Sequence, residues 1–169
     1  ATTITDPDNC AKTEIRDHLG RIIQVIEDPD GQAINTGYLY NAAGDLLQVR
    51  NHFWNSAAPN ENRIKIEYDI QGRKTAMHDP DMGQWFYQYD DNGNLVLQTD
   101  ARGLQIQFGY DPLNRIDSKL YPDGGGSSAT YSYDQATNGI GRPYRIANAD
   151  VTTVFATYDP MGRKLTEQK

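Results

Sequence analysis

The chain has 169 residues, 37% of them apolar and 23% charged, with a formal net charge of −7 and a pI near 4.8. The acidic balance argues against nucleic-acid binding, which needs a basic footprint. The lone Cys10 excludes an intrachain disulfide, and no apolar run reaches the 18 residues of a membrane-spanning helix.

From the N-terminus, Ala1–Asp6 has neither a basic region nor an apolar core, so no signal-peptide pattern is read there. Asp6-Pro7-Asp8-Asn9 has the make-up of a truncated turn. From Arg16-Asp17-His18-Leu19-Gly20-Arg21 onward the chain repeats one phrase: Tyr-Asp, two residues, Gly-Arg. Tyr40-Asn41-Ala42-Ala43-Gly44-Asp45 is a loose copy, and Tyr68-Asp69-Ile70-Gln71-Gly72-Arg73 is a full one. Tyr89-Asp90-Asp91-Asn92-Gly93-Asn94 and Tyr110-Asp111-Pro112-Leu113-Asn114-Arg115 each differ by one residue. Tyr133-Asp134 reaches Gly141-Arg142 only after an insertion, and Tyr158-Asp159-Pro160-Met161-Gly162-Arg163 is again full. The anchor falls at 16, 40, 68, 89, 110, 133 and 158, giving gaps of 24, 28, 21, 21, 23 and 25. Such a period points to stacked units, and we expect one array of about seven repeats over 1–169.

Each phrase reads as a turn. Asp at the first position bonds backbone amides two residues on, Pro112 and Pro160 pre-set φ at the second, and Gly closes the turn in a left-handed conformation. Asn114 stands where Gly is usual, and Asn tolerates that conformation best among other residues. A second turn type lies between: Asp28-Pro29-Asp30-Gly31, Asp79-Pro80-Asp81-Met82-Gly83, Asp100-Ala101-Arg102-Gly103 and Tyr121-Pro122-Asp123-Gly124. The segments entering the Tyr-Asp turns alternate. Ile64, Ile66 and Tyr68 oppose Lys65, Glu67 and Asp69; Trp85, Tyr87 and Tyr89 oppose Phe86, Gln88 and Asp90; and Leu104, Ile106, Phe108 and Tyr110 oppose Gln105, Gln107 and Gly109. Period 2 predicts half-buried strands of six to eight residues. Asn51–Arg63 reads as an extended loop and Gly124-Gly125-Gly126-Ser127-Ser128 as a flexible tip.

Chemical signatures are few. An EF-hand loop needs a closing Glu at position twelve, but eleven residues beyond Asp90 and Asp28 stand Ala101 and Leu39. His18, His52 and His78 show no metal spacing and no partnered nucleophile, and the triple glycine at 124–126 lacks the Lys-Ser/Thr of a phosphate loop. No catalytic, cofactor-binding or metal-binding residue is assigned. Of 11 tyrosines, six are repeat anchors. A row of rings could be a carbohydrate platform, but their regular place beside turns favours a structural ladder worth roughly 0.2–1 kcal/mol per cross-strand contact. Arg21, Arg73, Arg115, Arg142 and Arg163 read as cross-turn partners for a carboxylate or a ring.

The recurrent phrase resembles the YD-repeat, or RHS-repeat, family over nearly the whole chain. The residues that carry the resemblance are Tyr40, Asn41, Gly44; Tyr68, Asp69, Gly72, Arg73; Tyr89, Asp90, Gly93; Tyr110, Asp111, Asn114, Arg115; Tyr133, Asp134, Gly141, Arg142; and Tyr158, Asp159, Gly162, Arg163. The resemblance implies an all-β fold of tandem antiparallel hairpins in a continuous curved sheet, a segment of a hollow spiral shell. It also implies a non-catalytic role in a secreted or cell-surface toxin-delivery protein, as in Tc toxin B and C components, polymorphic RHS toxins and teneurins. Its partners would be the other repeats of the shell and an enclosed C-terminal domain, with no cofactor. The family's C-terminal self-cleavage signature is not found, so neither a protease nor a toxin domain is assigned. Both ends fall inside the repeat pattern, so we expect a fragment of a longer protein whose open sheet edges self-associate. The alternative is a surface array that binds carbohydrate or a partner protein.

Overall fold

The computed structural model describes residues 1–5, 7, 11–28, 33–50 and 63–169. The alternating segments form fifteen strands: β1 (Thr2–Thr5), β2 (Ala11–Arg16), β3 (Ile22–Asp28), β4 (Ile34–Tyr40), β5 (Leu46–Arg50), β6 (Arg63–Tyr68), β7 (Lys74–Asp79), β8 (Gly83–Tyr89), β9 (Leu95–Thr99), β10 (Gln105–Tyr110), β11 (Ile116–Leu120), β12 (Ala129–Tyr133), β13 (Pro143–Asn148), β14 (Thr152–Tyr158) and β15 (Lys164–Gln168). They lie in chain order in one 15-stranded antiparallel sheet, and no helix occurs among the described residues. The strands are four to seven residues long, many of them within the six to eight expected and the rest shorter. The Asp28-Pro29-Asp30-Gly31 and Asp6-Pro7-Asp8-Asn9 turns and the Asn51–Arg63 loop lie largely outside the described residues.

Contacts group the chain into Ala1–Trp85 and Phe86–Lys169. In the first unit β1 to β7 pair as successive neighbours. In the second, the Phe86–Tyr89 part of β8 pairs with β9, and pairing runs on to β15.

The burial pattern of β8 alternates strictly: Trp85, Tyr87 and Tyr89 are half-buried, while Gln84, Phe86 and Gln88 are exposed. Only Val25, Ala76, Ala136 and Tyr158 are buried hydrophobics among the described residues, which is the thin packing expected of a single sheet. Directly paired residues share a face, so small residues line up across strands, as in Gly109, Ser118, Thr130 and Ala147. Gly109 is required for room: a Cβ there would collide with the Ser118 hydroxyl and the Asp117 carboxylate, which hydrogen-bond to each other at 2.8 Å.

The loop over 124–128 is tied down rather than a free tip. The Tyr121 amide donates to Ser128 Oγ at 3.0 Å, the Tyr121 ring lies against Gly126, and Leu104 lies against Gly125. Gly125 and Gly126 admit these side chains at close range. Sequence composition alone does not reveal that requirement.

Candidate functional site

The repeated residues gather at the Tyr-Asp turns. In six hairpins the Asp or Asn amide donates to the carbonyl four residues on, and the Gly or Asn114 amide donates back to the first residue. These pairs are 17 with 20 and 21, 41 with 44 and 45, 69 with 72 and 73, 90 with 93 and 94, 111 with 114 and 115, and 159 with 162 and 163. The closing residue is left-handed: φ is 80° at Gly20, 101° at Gly44, 77° at Gly72, 86° at Gly93, 79° at Gly141 and 83° at Gly162. Asn114 joins them at 58°, as its place in the phrase required. A type I turn followed by a left-handed residue adds one residue to one strand. The register accordingly shifts within a residue of every anchor, Arg16 and Tyr40 through Tyr158.

The Asp side chain organises the turn. Asp69 Oδ1 accepts from the Gln71 and Arg73 amides at 2.9 and 3.0 Å, and its Oδ2 accepts Arg73 Nε at 2.6 Å. Asp17 with Arg21, Asp111 with Arg115 and Asp159 with Arg163 repeat this arrangement. Asp90 does the same with the Asn94 amide and side chain. In the second turn the polarity is reversed: Asn41 Nδ2 donates to Asp45 Oδ2 at 2.8 Å.

These bonds hold the carboxyls below the usual aspartate range. At Asp69 and Asp159 the backbone amide of the following arginine is the main cause, at Asp90 the Asn94 side chain, and at Asp134 the Arg115 guanidinium. At Asp17 and Asp111 partial desolvation is the largest influence and pushes upward, but bonds from Arg21 and Arg115 together outweigh it.

Five of the anchor tyrosines tie their hairpin to the one before. Tyr40 donates its hydroxyl to the Ile22 carbonyl at 2.9 Å, Tyr68 to Leu46 at 3.1 Å, Tyr110 to Leu95 at 3.0 Å, Tyr133 to Ile116 at 2.7 Å and Tyr158 to Pro143 at 2.7 Å. The acceptor is always the residue just after the preceding turn. The arginine of that turn reaches forward over the same ring: Arg21 lies 4.9 Å from Tyr40, Arg115 4.3 Å from Tyr133 and Arg142 5.4 Å from Tyr158. Its outer nitrogens also reach the next turn: Asn41 O at 3.4 Å, the Asp134 carboxylate at 3.0 and 2.7 Å, and Gly162 O at 3.0 Å. Asn94 makes the equivalent link to Asn114 Oδ1 at 2.8 Å.

The ladder therefore runs ring to guanidinium and hydroxyl to carbonyl. Direct stacking of tyrosine on tyrosine, one basis for the expected ladder, is not its geometry. The anchors sit on β4, β6, β8, β10, β12 and β14, every second strand, which separates them by roughly 9–10 Å. The backbone acceptors at Ile22, Leu46, Leu95, Ile116 and Pro143 were invisible to sequence reasoning, because a carbonyl belongs to every residue. The one available signal was their fixed place one residue beyond the turn.

The insertion after Tyr133 uses different bonds. Asp134 is itself left-handed at φ 69°; its amide still donates to the Arg142 carbonyl at 3.0 Å, while its carboxylate takes the Gly141 amide at 2.6 Å together with the Arg115 guanidinium. Arg115 thus bridges Asp111 and Asp134, and both carboxylates hold it firmly protonated. The inserted loop adds a parallel bridge from Thr137 to Thr157, buries Ala136, and donates Asn138 Nδ2 to the Tyr158 carbonyl at 3.0 Å.

Among the described residues no group of three or more His, Cys, Asp or Glu side chains could hold a metal ion, and no helix is long and apolar enough to cross a membrane.

A fold of successive hairpins cross-tied at one rim defines a β-hairpin repeat protein. The RHS Repeat family model matches residues 89–125. The chain is 26% identical over 174 residues to Double-stranded DNA deaminase toxin A of Burkholderia cenocepacia (strain H111), covering 89% of this chain and 11% of that protein. Two solved assemblies have a similar fold. The TcdB2-TccC3-Cdc42 crystal structure gives a TM-score of 0.73 at 19% identity, over 94% of this chain and 9% of that one. A Photorhabdus luminescens Tc holotoxin pore with a mutated TccC3 gives 0.74 at 18%, over 97% and 9%. Residues 89–125 match the RHS-repeat family directly, and the repeated phrase carries the likeness to RHS-repeat, or YD-repeat, proteins along the rest of the chain. It spans about a tenth of the length of the relatives it matches.

Proposed function

We propose that this chain is a wall segment of an RHS-type shell in a secreted toxin-delivery protein, and that it works by enclosure rather than catalysis. The observation that carries the reading is the use of the repeated residues. Tyrosine hydroxyls go to backbone carbonyls of the preceding hairpin, aspartates go to turn amides, and arginines bridge one turn to the next. These bonds lie within and between hairpins, which is what a wall needs. The likeness to Tc toxin structures in fold and the toxin named among its relatives support the same reading.

The partners on this reading are the neighbouring repeats of the wall and a segment enclosed by it. Protease protection in the longer protein that carries this array tests the proposal. The enclosed segment should resist digestion in the wild type and become cleavable when Arg115→Ala and Tyr158→Ala loosen the wall. A segment equally cleavable in both proteins would overturn it.

A further inference from the structure

At three junctions a guanidinium lies over the next anchor tyrosine, Arg21 over Tyr40, Arg115 over Tyr133 and Arg142 over Tyr158, and bonds an acceptor of a neighbouring turn. At the junction before Tyr68 the corresponding residue is Asp45, which is shorter and of opposite charge.

Asp45 Oδ2 accepts from Asn41 Nδ2 at 2.8 Å, whereas its Oδ1 faces forward, 3.7 Å from where a Cβ on Gly72 would stand. The Tyr68 hydroxyl is committed to the Leu46 carbonyl at 3.1 Å. Desolvation and then the Asp45 carboxylate both raise the pKa of that hydroxyl, which places the carboxylate's field on the ring. No ion pair of Asp45 occurs among the described residues. The aspartates of the flanking turns are already paired, Asp17 with Arg21 and Asp69 with Arg73. Asn94, the other departure from arginine, differs in kind: its amide donates to both Asp90 and Asn114 and closes the junction from within. A carboxylate has no donor with which to do this.

We propose that Asp45 and Tyr68 form a receptor for the side chain of an arginine carried by another polypeptide. The guanidinium would donate to Asp45 while its flat face lies on the Tyr68 ring, the same face-on contact that Arg115 makes with Tyr133, with the carboxylate here supplied from the arginine's own turn position instead of from the first turn residue as at Asp111. A lysine ammonium can offer the charge but not the planar fork. The Asp45 carboxylate selects a cation over a carboxylate or a neutral sugar.

The test is a titration of the full chain with N-acetyl-arginine amide, followed through tyrosine ring resonances, with N-acetyl-lysine amide as comparator. A saturable shift is expected at Tyr68 and not at Tyr40, Tyr133 or Tyr158, whose rings already carry a guanidinium, with weaker binding of the lysine compound. Asp45→Asn should weaken binding about tenfold or more, since it removes the charge from the acceptor; Asn94 shows that the array tolerates asparagine at this turn position. Asp45→Arg should abolish binding while the chain stays folded, because the intrinsic guanidinium then fills the receptor. Unsaturable shifts, equal shifts at all four rings, or unchanged affinity in Asp45→Asn would overturn the proposal.

Discussion

Removing the hydroxyl of Tyr158 tests how the hairpins are tied together. This side chain is only 6% exposed, donates to the Pro143 carbonyl at 2.7 Å and lies 5.4 Å from the Arg142 guanidinium. Tyr158→Phe keeps the ring and leaves the carbonyl without its donor, which costs about 1–3 kcal/mol when the group stays shielded from water. Tyr158→Ala also removes the buried ring, and deletions of that class cost about 3–5 kcal/mol. For a chain of this size each kcal/mol lowers the melting temperature by roughly 2–4 °C. The assay is urea and thermal denaturation followed by tyrosine fluorescence and circular dichroism. Tyr131→Phe is the control, because Tyr131 lies on β12 outside the anchor position and its change should stay within about 0.5 kcal/mol. Equal midpoints for Tyr158→Phe and Tyr131→Phe would refute the hydroxyl-to-carbonyl tie.

Gly93→Val should destabilise by more than about 1 kcal/mol, because its φ of 86° is strained for a β-branched residue; an unchanged urea midpoint would refute the turn assignment. Gly162→Val should cost at least as much, since a Cβ there also meets the Arg142 guanidinium, and the same denaturation series reads it. Arg115→Lys should lower the melting temperature nearly as far as Arg115→Ala, because an ammonium cannot span Asp111 and Asp134 as the planar guanidinium does. For pH, Asp69, Asp90, Asp111, Asp134 and Asp159 have folded pKa values below their unfolded ones. Their contribution is therefore complete above about pH 5 and is lost as pH falls below about 4, through the depressed values. Midpoints measured from pH 7 to 3 should be flat and then fall, and the fall should be shallower in Asp111→Asn.

Strand existence and turn chemistry were legible because each is a local rule. The alternation of Trp85 to Tyr89 gave a half-buried strand, and the Asn114 exception gave a left-handed turn, because both depend on residues adjacent in sequence. The forward reach of Arg115 to Asp134 spans 19 residues and needed coordinates. So did the altered partners of Asp134, whose left-handed φ accompanies an inserted loop in which Thr137 pairs with Thr157, a contact with no motif behind it. The arginines were expected to meet a carboxylate or a ring. Arg21 and Arg115 do both, because the guanidinium is long enough to bond its own aspartate and still cover the next tyrosine, whereas Arg142 covers a ring and Arg163 meets a carboxylate.

Cryo-electron microscopy of the longer protein that carries this array tests the central claim most directly. The account predicts these hairpins in a closed wall, with the anchor tyrosines inside the wall bonded to the preceding hairpin and with density for a separate segment enclosed by it. An open array whose tyrosine faces meet solvent or a bound glycan, with nothing enclosed, would contradict it.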